Sequence, residues 1–368
     1  MFTKPRIIIV LLFSITISYS QDYRNVDEIK EKINKKSDKS IYTNINSLKE
    51  KSPYRSELIS QTKNQIIDRI PSGYEELDRV LGGGLVTGSL VLIGGDPGIG
   101  KSTLILQSAT KIAHKRSVLY VAAEESSQQV KLRWNRIENS DSNLHLLSET
   151  NLELVIKELD YLRPEVAIID SIQALHDPNL SSSPGSVAQV RECSAALQQL
   201  AKRENISLLI IGHVTKDGML AGPKVLEHLV DAVLTFEGDR FASHRLLRAV
   251  KNRFGATHEL GVFEMQGKGL AEVGNPSELF LKGESASGVA TIVAFEGTRP
   301  LVVDLQALVG VTSYASPRRT ATGLGTNRLH QILAVLENHM GLPLSRNDCS
   351  LAVARGLDVE APAAAFGV

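Results

Sequence analysis

The sequence predicts an α/β fold in which a mainly parallel sheet is covered by helices on both faces, followed by a smaller, partial α+β domain. Three features carry that prediction. Apolar strand runs alternate with amphipathic helices between residues 67 and 216, an order that suits a sheet buried on both sides. Residues 91–103, "VLIGGDPGIGKST", read as a strand, a glycine-rich loop and the opening turn of a helix. After about Gly274 the alternation stops, and the strand-like stretch "VATIVAFEGTRPLVVDLQALVGV" precedes one amphipathic helix in "NRLHQILAVLENHM".

Composition agrees with a folded chain of more than one core. The 368 residues exceed the usual span of a single core, and 42% hydrophobic with 22% charged residues are ordinary values for a globular protein. The formal net charge is +0, so any surface for a polyanion has to be a local concentration of Lys and Arg. Cys193 and Cys349 lie far apart with no CxxC around either, which removes a zinc ribbon and a disulfide framework. A reducing, cytoplasmic setting is the expectation from the cysteines.

Residues 1–20 pull the other way. Lys4 and Arg6 precede an apolar run over 7–17, with Ser18 and Ser20 after it, the shape of a secretory or organelle-targeting leader. The run is short for a membrane span, and an N-terminal apolar strand is the alternative reading. Residues 21–66 are rich in Lys, Asn, Ser and Glu without a sustained apolar face and read as a polar linker.

The first folded domain is expected over 67–273. It opens on "IPSGYEELDRVLGGGL", a turn at 71–73, a short amphipathic helix over 74–81 and a glycine stop at 82–84. Strands are then expected at "SLVLIGG", "SVLYVAAEE", "VAIIDS" and "SLLIIGHVTK". The helices between them fall at 101–115, "SQQVKLRWNRI" and "SVAQVRECSAALQQLAKREN". "DAVLTFEG", "HRLLRAVKNRF" and "LGVFEMQ" follow with short turns, implying antiparallel strands added at an edge. The second domain is expected over 274–368, with Leu329, Ile332, Leu333 and Leu336 facing inward from its helix.

Gly95, Asp96, Pro97, Gly98, Ile99, Gly100, Lys101 and Ser102 fit the G-x-x-x-x-G-K-[ST] pattern, with Thr103 continuing the helix. Glycines let successive backbone N–H groups turn toward phosphate oxygens, and the helix N-terminus adds its positive dipole end. Lys101 would reach the β- and γ-phosphates, and the Ser102 hydroxyl would ligate Mg²⁺. Asp170 ends "VAIID" at the carboxyl end of its strand, where a carboxylate holds magnesium through water. Glu124 and Glu125 end the neighbouring strand, and alternation allows only one of them to face the γ-phosphate as the base that orients water.

Lys251 and Arg253 stand two apart on a predicted edge strand, so both cations are expected on one face. Such a pair is commonly a solvated edge that discourages aggregation. Placed after the core sheet, it would meet a neighbouring copy and act in trans on that copy's γ-phosphate. The segments "LHDPNLSSSPGSVAQVR" and "VTKDGMLAGPKV" carry Arg191, Lys216 and Lys224, and in a ring these would face a channel and track DNA phosphates. His213 is either a sensor of the γ-phosphate or a buried histidine bonded to backbone.

The stretches "LDRVLGGG", "GGDPGIGKST", "PGSVAQVREC", "IGHVTKDGMLAGPKVLEH", "VKNRFGATHELGVFEM", "NPSELF" and "EGTRPLVVDLQALV" resemble those of the bacterial RadA (Sms) proteins, DNA repair and recombination ATPases of the RecA superfamily. The resemblance runs from about Arg69 to the end, and "KNRFG", 251–255, is the family's own signature. It implies a RecA-like P-loop ATPase core with ATP and Mg²⁺ as cofactors. It also implies a hexameric, DnaB-like ring that moves on single-stranded DNA and extends branched recombination intermediates alongside a RecA-type recombinase. By motif, Lys101 and Ser102 match the phosphate and magnesium residues, Glu124 the catalytic glutamate, Asp170 the second acidic motif, and Lys251 and Arg253 the pair coupling nucleotide to DNA.

The second domain resembles a truncated Lon-protease-like domain. Pro362-Ala363-Ala364 stands where a proteolytic relative has Pro-Ser-Ala, so no peptide hydrolysis is expected. The leader-like segment and linker stand in place of the family's four-cysteine ribbon, so no zinc is expected. A KaiC-like regulatory ATPase, acting on protein partners without DNA, is the rival reading.

Overall fold

The computed structural model describes residues 60, 68–137, 143–213, 226–238, 243–281 and 286–353. The leader-like segment over 1–20, Lys216, Lys224 and the 362–364 tripeptide lie outside the described residues, as does the linker over 21–66 apart from Ser60. The described residues from Asp68 to Val353 belong to one compact unit.

The described chain opens with β1 (Arg69–Ile70), α1 (Glu75–Leu81) and β2 (Leu85–Val86), the two short strands pairing antiparallel. The main alternation follows as β3 (Leu90–Gly95), α2 (Lys101–Ala113), β4 (Val118–Ala122), α3 (Ser127–Ile137), β5 (Leu144–Leu147), α4 (Leu152–Leu162), β6 (Val166–Asp170), α5 (Val187–Glu204) and β7 (Ser207–Ile211). Then come β8 (Ala232–Glu237), β9 (His244–Asn252), β10 (Leu260–Gln266) and β11 (Gly269–Glu272). Among the described residues, nine strands form one sheet in the order β11-β10-β9-β8-β3-β7-β6-β4-β5. It is parallel from β8 through β5 and antiparallel from β8 out to β11.

The central strands are buried at every position, and almost wholly apolar, because both faces are covered. Val91 and Ile93 of β3 join a core with Leu104 and Ile105 of α2, Leu77 and Val80 of α1 and Val130 of α3. Leu90 and Leu92 join the opposite core with Val155 and Leu159 of α4 and Val190 and Leu197 of α5. Local signals set the helix ends. The Asn151 side chain accepts the Glu153 N–H at the start of α4, Ser186 accepts the Gln189 N–H at the start of α5, and Gly82 closes α1 in the left-handed region.

The remaining elements are α6 (Ser277–Phe280), β12 (Val289–Glu296), β13 (Arg299–Val311), β14 (Arg319–Thr322), α7 (Thr326–Met340) and β15 (Asn347–Val353). Their strands make a separate sheet in the order β12-β13-β15-β14. Leu329, Ile332 and Leu333 of α7 are buried in a third core with Leu336 packed at its margin, as the helical spacing predicts. That core also takes in Leu260 and Val262 of β10, so the smaller sheet closes on the larger one. Among the described residues no helix is long and apolar enough to cross a membrane.

Three local expectations are corrected. Strand β9 is not an edge: β8 and β10 pair with it on either side, because the chain doubles back once more and leaves β11 at the margin. Arg253 lies beyond the end of β9, so strand alternation does not set its direction relative to Lys251. Glu124 and Glu125 lie past β4, in a turn fastened where the Ala123 and Glu124 N–H groups both donate to the Asp170 carbonyl, at 2.7 and 3.2 Å. Strand β5 and helix α4 went unread in the sequence, although "LELVIKELDYL" has helical spacing and an Asn cap before it.

Candidate active site

Parallel strands deliver their carboxyl ends to one margin of the sheet, and here Gly95, Ala122, Asp170 and Ile211 end there together. The loop of residues 95–100 turns over the end of β3 into α2. Gly95 has φ 150°, and a Cβ there would lie 2.4 Å from the Phe236 carbonyl oxygen, so the strand end admits only hydrogen. Around Gly98 the space is open, leaving that backbone free to face a ligand.

A cavity of 310 Å³ lies against this loop. Gly98, Gly100, Lys101, Ser102 and Thr103 line one side, and Glu124, Asp170 and His213 the other. The Lys101 ammonium is buried and donates to the carbonyls of Gly95 at 2.7 Å and Asp96 at 2.9 Å. Burial pulls its pKa down to about 8, against the opposing pull of Asp170, Asp96 and Glu124.

Asp170 is buried at the tip of β6. Burial raises its carboxyl above the ordinary aspartate range, and hydrogen bonds from Tyr120 and Ser102 oppose the rise. The Ser102 hydroxyl and the Asp170 carboxylate thus face each other, an oxygen pair that fits a magnesium ion held by the serine directly and by the aspartate through water. The positively cornered loop beside them fits the triphosphate that such an ion accompanies.

The two glutamates part company. Glu124 meets the His213 imidazole, Oε2 to Nε2 at 3.0 Å, at the cavity wall. Burial alone would raise its pKa, but the His213 bond and charge, the Ser171 hydrogen bond and Lys101 hold it below the ordinary range. Glu125 instead pairs with Arg133 of α3 at 2.5 Å. A carboxylate already neutralised by a guanidinium is a poor base, which favours Glu124 for that work. His213 is bonded to a carboxylate rather than to backbone through Nε2, and its Nδ1 is buried without a partner among the described residues.

Sequence reasoning missed Tyr120 and Arg133. Tyr120 is the one hydroxyl in the buried strand "VLYVA", and a phenol sealed in an apolar strand has to find an acceptor; that was the available signal. Arg133 had no signal of its own, since only the packing of α3 turns it toward Glu125.

The remaining candidates among the described residues, Arg191, Lys251 and Arg253, are not brought to this cavity. Arg191 is exposed on α5, not in the preceding loop. That loop is tied down by buried Gln189, which accepts the Asp177 N–H at 2.8 Å and donates to the carbonyls of Asp177 at 3.1 Å and Ser182 at 2.9 Å. Lys251 and Arg253 sit toward the far end of the strands. Asn252 pairs with Ala232 and Ala232 with Val91, so this arm begins roughly 13 Å along the strand direction from Gly95. Lys251 donates to the carbonyls of Val230, at 2.8 Å, and Glu227, and Arg253 pairs with buried Asp231 at 2.9 Å. Burial, reinforced by the adjacent Arg253 charge, lowers the Lys251 pKa.

A family model described as "AAA domain" matches residues 54–219. The DNA repair protein RadA of Listeria monocytogenes is 49% identical over 319 residues, 86% of this chain and 70% of that protein. RadA of Streptococcus pneumoniae is 52% identical over 299 residues, 81% of this chain and 71% of that protein. The chain belongs to the RadA family. The RadA of Synechocystis sp. is 62% identical over 324 residues, and this chain spans 64% of its length. Two solved structures are similar to part of this chain. A KaiC-like protein from Pyrococcus horikoshii has a TM-score of 0.47 at 17% identity, over 56% of this chain and 100% of that one. The RadB recombinase has a TM-score of 0.44 at 21% identity, over 55% of this chain and 99% of that one.

Proposed function

We propose that this RadA-family chain is a DNA-dependent ATPase of repair and recombination, working as a hexameric ring on single-stranded DNA and promoting branch migration of branched intermediates beside a RecA-type recombinase. Lys101 and the loop N–H groups would hold the β- and γ-phosphates, and Ser102 and Asp170 would hold a magnesium ion, which would supply charge stabilisation to phosphoryl transfer. Glu124 orients the attacking water and takes its proton at a carboxylate oxygen, with His213 holding that carboxylate beside the cavity. Lys251 and Arg253 act on a neighbouring subunit's nucleotide. Arg191, Lys216 and Lys224 contact DNA phosphates, and the second domain braces the ring without proteolytic activity.

The observation that carries this reading is the separation of charges along the strands. Lys101, Ser102, Asp170 and Glu124 converge at one end, while the Lys251–Arg253 arm starts roughly 13 Å away from Gly95. A cation pair so placed serves a different nucleotide from its own. The test is ATP turnover with and without single-stranded DNA, on the unaltered chain and on Lys251→Ala. Stimulation by DNA that disappears in Lys251→Ala, with nucleotide binding intact, is the expected result. Turnover indifferent to any polynucleotide at every protein concentration would overturn it and favour a KaiC-like regulatory role.

A further inference from the structure

The stretch "EGTR", residues 296–299, lies far from the nucleotide cavity in sequence; its first three residues meet β9 or the root of the Lys251–Arg253 arm, and the fourth pairs with helix α1. It forms the turn between β12 and β13. The arm comprises the last residues of β9, Lys251 included, and the excursion that leads on to β10, closed at its base where the His258 N–H donates to the Ala249 carbonyl at 2.8 Å.

The docking is specific at each position. Glu296 is buried and pairs with Arg248 of β9. Gly297 has φ 60°, and a Cβ on it would stand 2.8 Å from the His258 carbonyl oxygen and 3.0 Å from the Glu259 Cα, both at the arm's downstream root. The Thr298 N–H donates to Oε1 of buried Glu259 at 2.9 Å. Arg299 pairs with Oε2 of Glu76 on α1 at 2.6 Å, and that same oxygen accepts the Val262 N–H of β10 at 2.8 Å.

The arm's other side is also held. Asn252 donates to the Val80 carbonyl at 3.2 Å, Arg69 donates to the Phe254 carbonyl at 2.7 Å, and Gly255 packs on Gly82 so closely that a Cβ on either would fall within 3.0 Å of the other's Cα. The arm therefore lies between helix α1 on one side and the β12–β13 turn on the other, and Arg299 to Glu76 ties those two supports together.

We propose that the Glu296–Arg299 turn is a positioning element through which the smaller sheet sets the Lys251–Arg253 arm in the pose that reaches a neighbouring subunit's nucleotide. This rests on the trans role given to Lys251 above. Its residues touch neither nucleotide nor reacting atoms. They act through the backbone of the arm's root, where a displacement of about 1 Å is enough to cost on the order of a hundredfold in rate.

The experiment compares Gly297→Val, Lys251→Ala and the double variant in the full chain. It reads ATP turnover at saturating DNA, affinity for a fluorescent ATP analogue, and hydrogen exchange of peptides covering 250–259 and 90–113. Expected for Gly297→Val are turnover lowered about a hundredfold, unchanged analogue affinity, faster exchange over 250–259 and unaltered exchange over 90–113. The double variant should lose no more than the worse single one, because both act through one arm. Losses that multiply, or full turnover in Gly297→Val beside an impaired Lys251→Ala, would overturn the positioning role alone. Full turnover in Lys251→Ala would overturn the trans reading beneath it. Should Gly297→Val fail to fold, Arg299→Ala takes its place, with recovery in Arg299→Lys expected and equal loss in both variants counting against the proposal.

Discussion

The Tyr120 hydroxyl donates a hydrogen bond of 2.5 Å to Oδ2 of Asp170 across the β4–β6 pair, inside a site where both side chains are buried. The Asp170 carboxylate is thus oriented from the neighbouring strand. Burial, the nearby Asp170 charge and this bond all raise the Tyr120 pKa, which keeps the phenol a donor throughout the working range.

Tyr120→Phe removes that donor and leaves the cavity shape nearly intact. A buried hydrogen bond to a charged group is worth about 1.5–3 kcal/mol, and denaturant melts at neutral pH should show a loss of that size. The pH dependence has a definite sign. Asp170 already titrates above its ordinary value, so the native state holds its proton more tightly than the unfolded chain, and stability falls as pH rises across that interval. Losing Tyr120 raises Asp170 further and widens the interval, which melts at a series of pH values would reveal.

Lys101 supplies a second dependence. With its pKa at about 8, the free protein loses this proton as pH rises through that value, and bound phosphates draw it back. Calorimetry in buffers of different ionisation heat should register proton uptake on ATP binding above pH 8 and none through this group well below it. Affinity should weaken there by up to about tenfold per pH unit. For the free protein the linkage runs in the opposite sense: the unfolded chain binds the proton more tightly between about 8 and the ordinary lysine value of 10.5, so this group adds stability as pH climbs through that window.

Glu124 and His213 can be separated by their pH profiles. Glu124→Gln should lower turnover on the order of a thousandfold with nucleotide binding retained, as expected for a lost general base. His213→Ala should do something different. Without the imidazole, burial regains weight over Ser171 and Lys101, the Glu124 pKa rises, and the acid limb of the rate profile moves to higher pH. An acid limb that stays in place would remove His213 from any part in holding Glu124.

Gly95→Ala tests the loop's closure on β8. The added methyl would meet the backbone oxygen of Phe236, which has no rotamer to yield, so a loss of about 2 kcal/mol or more is expected in thermal or denaturant unfolding. Gly100→Ala meets the flexible end of Met265 instead, at 2.8 Å, and keeps only the cost of its left-handed backbone, so it should lose less.

By itself the sequence determined most elements of the main alternation and the phosphate loop, because those depend on short-range rules. Buried strands show as unbroken apolar runs, helices as 3.6-residue spacing, and the turn from Gly95 into Lys101 needs glycines at positions that can be read directly. Lys101, Ser102, Asp170 and Glu124 were legible because parallel strands always deliver their ends to one margin. What only the tertiary structure decided are the matters set by contacts between residues far apart in the chain. Strand order made β9 an interior strand and put the Lys251 arm at the opposite end from Gly95. Packing of α3 gave Glu125 to Arg133 and left Glu124 with His213. Arg299 reached Glu76 across more than two hundred residues. Local pattern carries no record of such pairings, since each depends on which surfaces happen to close against one another once the sheet has formed.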